Sequence, residues 1–297
     1  MSEPDSLSQA MTCLEGLSVG DAFGQQFFIP GILETCSKDR LPPAPWHYTD
    51  DTIMAMAIIH TLKEQKCIDQ DVLATEFTER YWRAPNRGYG AGAQQLLRAI
   101  HEGTDWRVAT KDLFHGTGSY GNGAAMRVAP VGAWFADDEN QVIEQARLSA
   151  EVTHSHPEGI AGAIAVALAA CWIVQKNRNR HQMRNREFLP WIIERIESSE
   201  VRQRLEWAAT YPLTTWPFTV ASQVGNGMQI TAQDTVPFCL WMTAAYFDQY
   251  TDAMWMAARN GGDMDTNCAI IGGLLALSNG PDAIPETWKH SRESLKW

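Results

Sequence analysis

Two pairs of aspartates, far apart in the sequence, each stand directly before an apolar, helix-like segment. Asp263 and Asp265 follow two glycines in GGDMDT, and Asp50 and Asp51 are consecutive in TDDT. One interpretation is helix capping, because aspartate and threonine oxygens accept hydrogen bonds from the unpaired N–H groups of a first helical turn. Capping uses one side chain, however, and close carboxylates repel each other unless a cation compensates them. The matching clusters therefore also indicate a site for divalent metal ions.

Hydroxyl and carboxylate oxygens are the ligands that Mg²⁺ and Mn²⁺ prefer. If the two clusters face each other across the fold, they could hold two ions. The residues with suitable oxygens are Thr49, Asp50, Asp51, Asp263, Asp265 and Thr266.

A glycine-rich segment, GTGSYGNGAAMRVAPVG at residues 116–132, could receive an anion. Its glycines let backbone N–H groups approach closely, and the following helix N-terminus adds a favourable dipole. Asn122 offers hydrogen bonds and Arg127 a fixed positive charge. The segment lacks the lysine of a phosphate-binding GxxxxGK[ST] loop, which disfavours nucleoside triphosphate hydrolysis. The alternative is a flexible surface loop.

Two further polar motifs suit contacts to a ligand better than a zinc site. His154 and His156 in THSHPEG are two residues apart, a spacing that does not place them on one helix face. His154 could bond a ligand or be a satisfied structural histidine. Tyr89, between glycines in RGYG, could stack on a planar base, and the alternative is an exposed tyrosine in a turn.

Composition narrows the class of protein. The net charge is −11 over 297 residues, which disfavours a nucleic-acid binder that neutralises phosphates. The six cysteines include no CxxC pair, a pattern typical of reduced thiols. The N-terminus is acidic and polar, unlike a signal peptide. The most apolar run, residues 159–174, is short and rich in alanine and glycine, which predicts a core helix and no membrane span. We therefore expect a soluble, cytoplasmic protein.

Apolar residues recur at i, i+3, i+4 and i+7 in most segments, and none shows the sustained alternation of a strand. The basic run at residues 175–187 is predicted to connect helices. No stretch has the composition of an interdomain linker. The sequence predicts an all-α fold with one compact domain over residues 1–297 and functional residues in the glycine-rich loops.

Taken together, the motifs closely resemble those of the ADP-ribosylglycohydrolase family, which includes the dinitrogenase reductase-activating glycohydrolases. They cover nearly the whole chain in the order typical of the family. The resemblance implies an all-α fold with a binuclear Mg²⁺ or Mn²⁺ centre at the bottom of an ADP-ribose cleft. The matching segments are GLSVGDAFG, TDDT, RGYG, GNGAAMRVAPVG, TH ahead of GAIAVA, QDTVPFCLW and GGDMDT.

The resemblance also assigns roles to residues of this chain. Thr49, Asp50 and Asp51 would bind metal from one side. Asp263, Asp265 and Thr266 would bind it from the other. Arg127, behind the glycine loop, would be structural. The residues implied to hold the ADP-ribose, with its diphosphate at the glycine loop, are Tyr89, Gly121, Asn122, Gly123 and His154.

The implied reaction is hydrolysis at C1″ of the distal ribose, with a carboxylate assisting proton transfer. Many family members carry a glutamate shortly after the GDALG-like segment, where this chain has glutamines and phenylalanines at 25–28. The assisting carboxylate therefore remains open among Asp21, Asp50, Asp51 and Asp263. Met264 replaces a usual threonine, and Asp234 stands where glutamate is common, but neither change removes an expected metal ligand.

The expected function is removal of ADP-ribose from a modified protein side chain, with arginine the favoured acceptor. One alternative is hydrolysis of another ADP-ribose linkage, such as a serine-linked group or a free-metabolite ester. Another is a non-catalytic binder of ADP-ribose or of a partner, for example a toxin-neutralising protein. The implied partners are an ADP-ribosylated protein substrate and an ADP-ribosyltransferase or its target.

Overall fold

The computed structural model describes residues 3–178 and 183–297. Regular structure in these residues is helical, and the pairings of extended backbone are isolated bridges. The predicted all-α fold is confirmed. The helices are α1 (Glu3–Gln25), α2 (Ile32–Thr35), α3 (Asp50–Gln65), α4 (Gln70–Arg83), α5 (Ala91–His101), α6 (Trp106–Gly116), α7 (Ala129–Trp134), α8 (Glu139–Glu151), α9 (Pro157–Arg178), α10 (Phe188–Ile193), α11 (Glu200–Ala209), α12 (Pro217–Val224), α13 (Ala232–Ala245), α14 (Tyr250–Arg259), α15 (Met264–Asn279) and α16 (Glu286–Ser291).

Helix α9 lies at the centre of the hydrophobic core. Its length and composition would suit a membrane span, but 78% of its most apolar window is buried inside the fold. It packs against α7, α8, α13 and α15, and a helix that is apolar on all faces requires such surroundings. The basic run predicted as a connection begins inside α9, and its residues 179–182 lie outside the described residues.

Helices α1 and α15 pack so closely that the backbone of one lies against the backbone of the other. Gly16, Gly20 and Gly24 recur every four residues, so they share one face of α1. A Cβ atom at Gly20 would lie 2.1 Å from the carbonyl oxygen of Cys268 on α15. This close packing places Asp21, near the C-terminal end of α1, beside the first turn of α15.

The C-terminal segment fixes the loop that leads into α3. The backbone N–H of Glu293 donates to the Trp46 carbonyl at 2.9 Å. The Glu293 carboxylate binds the Arg87 guanidinium, with Nη2 and Oε2 3.2 Å apart. The Arg87 carbonyl in turn accepts from the Asp50 backbone N–H at 2.7 Å. The first residue of α3 is therefore held through Arg87 by the end of the chain.

Candidate active site

A cavity of about 440 Å³ opens where helices α3 and α15 begin. The glycine loop, residues 116–124, passes along one wall, and both aspartate clusters face the same space. Five of the six residues predicted to bind metal line the cavity, and Thr49 lies buried behind them. The lining members are Asp50, Asp51, Asp263, Asp265 and Thr266.

Three carboxylates form a compact acidic cluster at this cavity. One oxygen each from Asp21, Asp51 and Asp265 lies within 4.8 Å of the others. Asp51 Oδ1 is buried and has no hydrogen-bond partner in the described residues. A buried polar atom without a partner is costly, and a cluster of three carboxylates matches the ligand chemistry of a hard divalent cation. These residues therefore fit a metal ion.

Asp21 was named from the sequence only as a possible proton-transfer group, and its place in the acidic cluster was missed. Its carboxylate caps α3 from a neighbouring helix. It accepts from the Thr49 backbone N–H at 2.9 Å and from the Thr52 backbone N–H at 3.1 Å. The Thr49 hydroxyl lies 2.8 Å from Asp21 Oδ1 and 3.0 Å from Asp51 Oδ2. Thr49 thus bridges two carboxylates, and its role as a metal ligand stays a prediction.

Burial and mutual repulsion raise the pKa values of the clustered carboxylates. Burial is the larger cause, and it raises the pKa of Asp21 to about 6. Burial, together with the Asp21 carboxylate, raises the pKa of Asp50 to about 8. The pKa values of Asp51 and Asp265 are also raised, first by burial and then by the carboxylates of Asp21 and Asp263, respectively. Without a compensating cation, these groups retain protons that free aspartates lose.

Asn122 joins the glycine loop to the second aspartate cluster. Its side-chain Nδ2 donates to Asp263 Oδ2 at 2.6 Å and to Thr235 Oγ1 at 3.0 Å. Gly123 follows, and a Cβ atom there would lie 3.0 Å from Cε1 of His154. A side chain at position 123 would therefore crowd the imidazole, and glycine leaves room for it. The predicted loop residues Gly121, Asn122 and Gly123 all line the cavity.

His154 and Arg127 also line the cavity. Burial, and secondarily the charge of Arg127, lowers the pKa of His154 to about 3, so the imidazole is neutral. Arg127 is fully buried, and this burial lowers its pKa to about 9. Its guanidinium lies over the Phe77 ring and donates to the Ser149 carbonyl at 3.2 Å. Arg127 is thus held behind the glycine loop, and the structural role that the resemblance implies for it stays a prediction.

Tyr89 is only 3% exposed. Its ring packs edge to face on Tyr81 at 5.0 Å, and its hydroxyl is buried without a partner in the described residues. The neighbouring glycines, Gly88 and Gly90, line the cavity, whereas Tyr89 is outside that lining. Its predicted contact to ADP-ribose stays a prediction.

Sequence reasoning missed the apolar rim of the cavity. Phe114, Tyr120 and Ile230 line it and are 52%, 42% and 60% exposed, respectively. Phe114 and His115 both have positive φ, a strained conformation for residues other than glycine, after which the chain turns into the glycine loop. Exposed aromatic rings beside an anion loop could stack on a planar base. The spacing of these residues gives no signal of this role.

The segment that departs from the family pattern lies in aromatic packing. Gln26 is buried and donates to the Ala22 carbonyl at 3.0 Å. Phe27 packs on Phe23 at 4.8 Å and on Trp255 at 5.4 Å between ring centroids. The segment supplies no carboxylate, so the acidic groups at the cavity come from α1, α3 and the start of α15.

The fold and the cavity define an all-α protein with a buried acidic cluster that could hold a cation, beside a glycine-rich loop. The family model described as ADP-ribosylglycohydrolase matches residues 2–296. The chain belongs to this family and is an enzyme that hydrolyses ADP-ribose linkages. Membership favours the predicted enzyme over the non-catalytic binder.

Known proteins resemble the chain along almost its full length. It is 28% identical to human (Homo sapiens) ADP-ribosylhydrolase ARH3, covering 98% of this chain and 91% of that protein. It is 26% identical to the ADP-ribosyl-[dinitrogen reductase] glycohydrolase of Rhodospirillum rubrum, covering 97% and 91%. A solved ADP-ribosylglycohydrolase-related protein complex shares the fold with a TM-score of 0.64, 21% identity and coverage of 98% and 94%.

Proposed function

We propose that this enzyme removes ADP-ribose from a modified arginine side chain of a protein, reversing mono-ADP-ribosylation. The observation that carries the proposal is the shared cavity of the acidic cluster and the glycine loop. ADP-ribose carries a diphosphate beside the ribose whose bond is cleaved, so an anion site next to a cation site suits it. The Rhodospirillum rubrum relative is named for a protein substrate, which supports a protein acceptor here.

We infer that two Mg²⁺ or Mn²⁺ ions bind at the acidic cluster. Bound there, they would supply Lewis acidity and orient the ribose hydroxyls and a water. The Asp51 oxygen without a hydrogen-bond partner and the raised pKa values of the neighbouring Asp21 and Asp265 support this assignment. The proposed ligands are the six predicted from the sequence, Thr49, Asp50, Asp51, Asp263, Asp265 and Thr266, together with Asp21.

The chain's own residues bind and orient the substrate. The glycine loop at residues 121–123 lines the site of the diphosphate, and the rings of Phe114 and Tyr120 hold the base. Asp50, Asp51 and Asp263 are the proposed catalytic carboxylates. Asp50 lies at the cavity wall but outside the compact acidic cluster. We therefore propose that the Asp50 carboxylate accepts a proton from the attacking water. The aspartates also stabilise positive charge that develops on the ribose as the C1″ bond breaks.

Hydrolysis of another ADP-ribose linkage is the second candidate. The ARH3 relatives carry a name that specifies the ADP-ribosyl group without an acceptor side chain. A serine-linked group is the alternative acceptor that the same cavity could serve. In either case we propose a cytoplasmic enzyme whose partners are the modified protein and the ADP-ribosyltransferase that modifies it.

Intact-mass spectrometry tests both candidates. One protein modified on arginine and one modified on serine would each be incubated with the enzyme in Mg²⁺, Mn²⁺ or EDTA. We expect loss of one ADP-ribose unit from the arginine-linked substrate with metal and no loss in EDTA. Loss from the serine-linked substrate alone would overturn the arginine assignment, and equal loss in EDTA would overturn the metal assignment.

A further inference from the structure

A chain of three polar side chains runs from the core to the glycine loop. Arg127 Nη2 donates to Thr153 Oγ1 at 2.7 Å, and Thr153 Oγ1 lies 2.7 Å from His154 Nδ1. All three residues are buried, with exposures of 1%, 2% and 7%, respectively. Hydrogen bonds in such surroundings are costly to leave incomplete. The direction of each bond is therefore fixed by what each group can donate.

Arginine carries donors only, so the Thr153 oxygen accepts from Arg127. The hydroxyl hydrogen of Thr153 is then free to point at His154, whose Nδ1 accepts it. The opposite direction would leave a buried hydroxyl hydrogen without an acceptor, because the described residues place no other acceptor on Thr153 Oγ1. A neutral imidazole that accepts at Nδ1 carries its hydrogen at Nε2.

The Nε2 atom of His154 faces the glycine loop. A Cβ atom would lie 3.2 Å from Nε2 at Gly123 and 3.4 Å from it at Gly121. Nε2 has no hydrogen-bond partner among the described residues, and its N–H would be a neutral donor aimed at the space beside the loop. The lowered pKa of His154 agrees with an uncharged ring.

We propose, on the basis of the function proposed above, that Thr153 is a positioning residue. Held by Arg127, it fixes His154 in the tautomer with hydrogen on Nε2, so that His154 donates to a substrate phosphate at the glycine loop. The hydrogen bonds from Arg127 through Thr153 keep the Nε2–H of His154 available at every pH at which the fold is stable. This donor does not depend on protonation of the ring.

Thr153→Val tests this chain of hydrogen bonds, since valine keeps the shape of threonine and removes the hydroxyl. Thr153→Ser retains the hydroxyl. Thr110→Val is the matched control: it removes another buried hydroxyl, which donates to the carbonyl of Val152 at 2.7 Å and does not touch the imidazole. Long-range ¹H–¹⁵N spectra of the free enzyme report which ring nitrogen carries hydrogen, and His154→Gln assigns the signal.

We expect Nε2–H in the wild type, in Thr153→Ser and in Thr110→Val, and mixed tautomers in Thr153→Val. Calorimetry with ADP-ribose should show about 10-fold weaker binding for Thr153→Val, and changes within about 2-fold for the other two variants. An unchanged tautomer in Thr153→Val would overturn the proposal, as would unchanged ADP-ribose affinity despite a changed tautomer. Absence of ADP-ribose binding by the wild type would instead count against the proposed function, while the spectra still decide the tautomer.

Discussion

At the scale of single residues, the site is defined by buried carboxylates whose pKa values are raised by burial and by one another's charge. Asp51 shows this most clearly, because one of its oxygens is bonded by Thr49 and the other has no partner among the described residues. Burial of such a group is unfavourable for folding. The cation proposed for this site would give the unpartnered oxygen of Asp51 a partner.

Asp51→Asn should lower the hydrolysis rate by at least about 100-fold, because loss of groups that merely orient metal ligands already costs 10- to 100-fold. Asparagine preserves the volume, so the thermal unfolding temperature of the metal-free enzyme should not fall. Mn²⁺ binding, followed by electron paramagnetic resonance, should weaken in parallel with activity. Full activity in Asp51→Asn would remove this residue from the metal site.

The sequence located some of these residues and missed others for definable reasons. Asp51 and Asp265 were found because acidic side chains stand at the starts of apolar segments. Asp21 was not placed with them, because its position depends on how closely α1 approaches α15. The burial of Tyr89 likewise depends on its contact with Tyr81, which sequence spacing does not reveal.

At the scale of helices, the site depends on the glycine face of α1. Gly20→Ala should destabilise the protein by about 3 kcal/mol, because the new methyl group meets the backbone carbonyl of Cys268 at 2.1 Å and overpacking against backbone is relieved only by helix displacement. Urea unfolding followed by tryptophan fluorescence measures the change.

Gly90→Ala is the matched control for this substitution. Gly90 has φ −61°, and a Cβ atom there meets nothing within 4 Å. The free energy of unfolding of the Gly90→Ala variant should differ from that of the wild type by no more than about 1 kcal/mol. Equal losses in the two variants would show that helix approach is not the cause.

The contact between the C-terminal segment and the loop before α3 is the second element-scale feature. Burial opposes ionisation of Glu293, but hydrogen bonds from Arg87 and His47 outweigh it and lower the pKa of Glu293 below its ordinary value of 4.5. A lowered folded-state pKa gives stability that is present above 4.5 and is lost as the pH falls through the folded-state value.

A double-mutant cycle of Arg87→Gln and Glu293→Gln should therefore give a coupling energy of about 1 kcal/mol at neutral pH. The coupling should diminish in acid, at a pH below the lowered folded-state pKa of Glu293. Chemical unfolding at both pH values supplies the four free energies of unfolding. A coupling that persists undiminished in acid would assign the contact to packing and not to charge.

Helical periodicity predicted the all-α class well because apolar faces are a local property of the sequence. The same periodicity could not predict the backbone conformation around Phe114. Helix α6 is interrupted from Leu113 to His115, with positive φ at Phe114 and His115. Strained backbone of this kind is maintained by the surrounding structure, here by packing of the Phe114 ring at Gly92, and not by local preference.

At the scale of the whole molecule, folding and cation binding are linked through the buried carboxylates. Asp50 has an ordinary pKa of 3.8 and a folded-state pKa of about 8. Below 3.8 it is protonated in both states. As the pH rises from there to about 8, the unfolded chain releases a proton that the folded protein retains, so the folded state loses stability over this interval. A cation bound by the carboxylates removes that loss.

The unfolding temperature in EDTA should therefore fall as the pH rises from about 5 to about 8, and Mg²⁺ should raise it more at pH 8 than at pH 5. Asp50→Asn should flatten the dependence of the unfolding temperature on pH measured in EDTA.

The net charge of −11 also disfavours the compact state at high pH. Asp39→Asn isolates that contribution, because it removes one exposed charge outside the acidic cluster. If Asp50→Asn and Asp39→Asn changed the slope equally, the pH dependence would belong to the overall charge and not to the site. A flatter slope in Asp50→Asn alone would show that the carboxylates placed for the cation also set the stability of the metal-free fold.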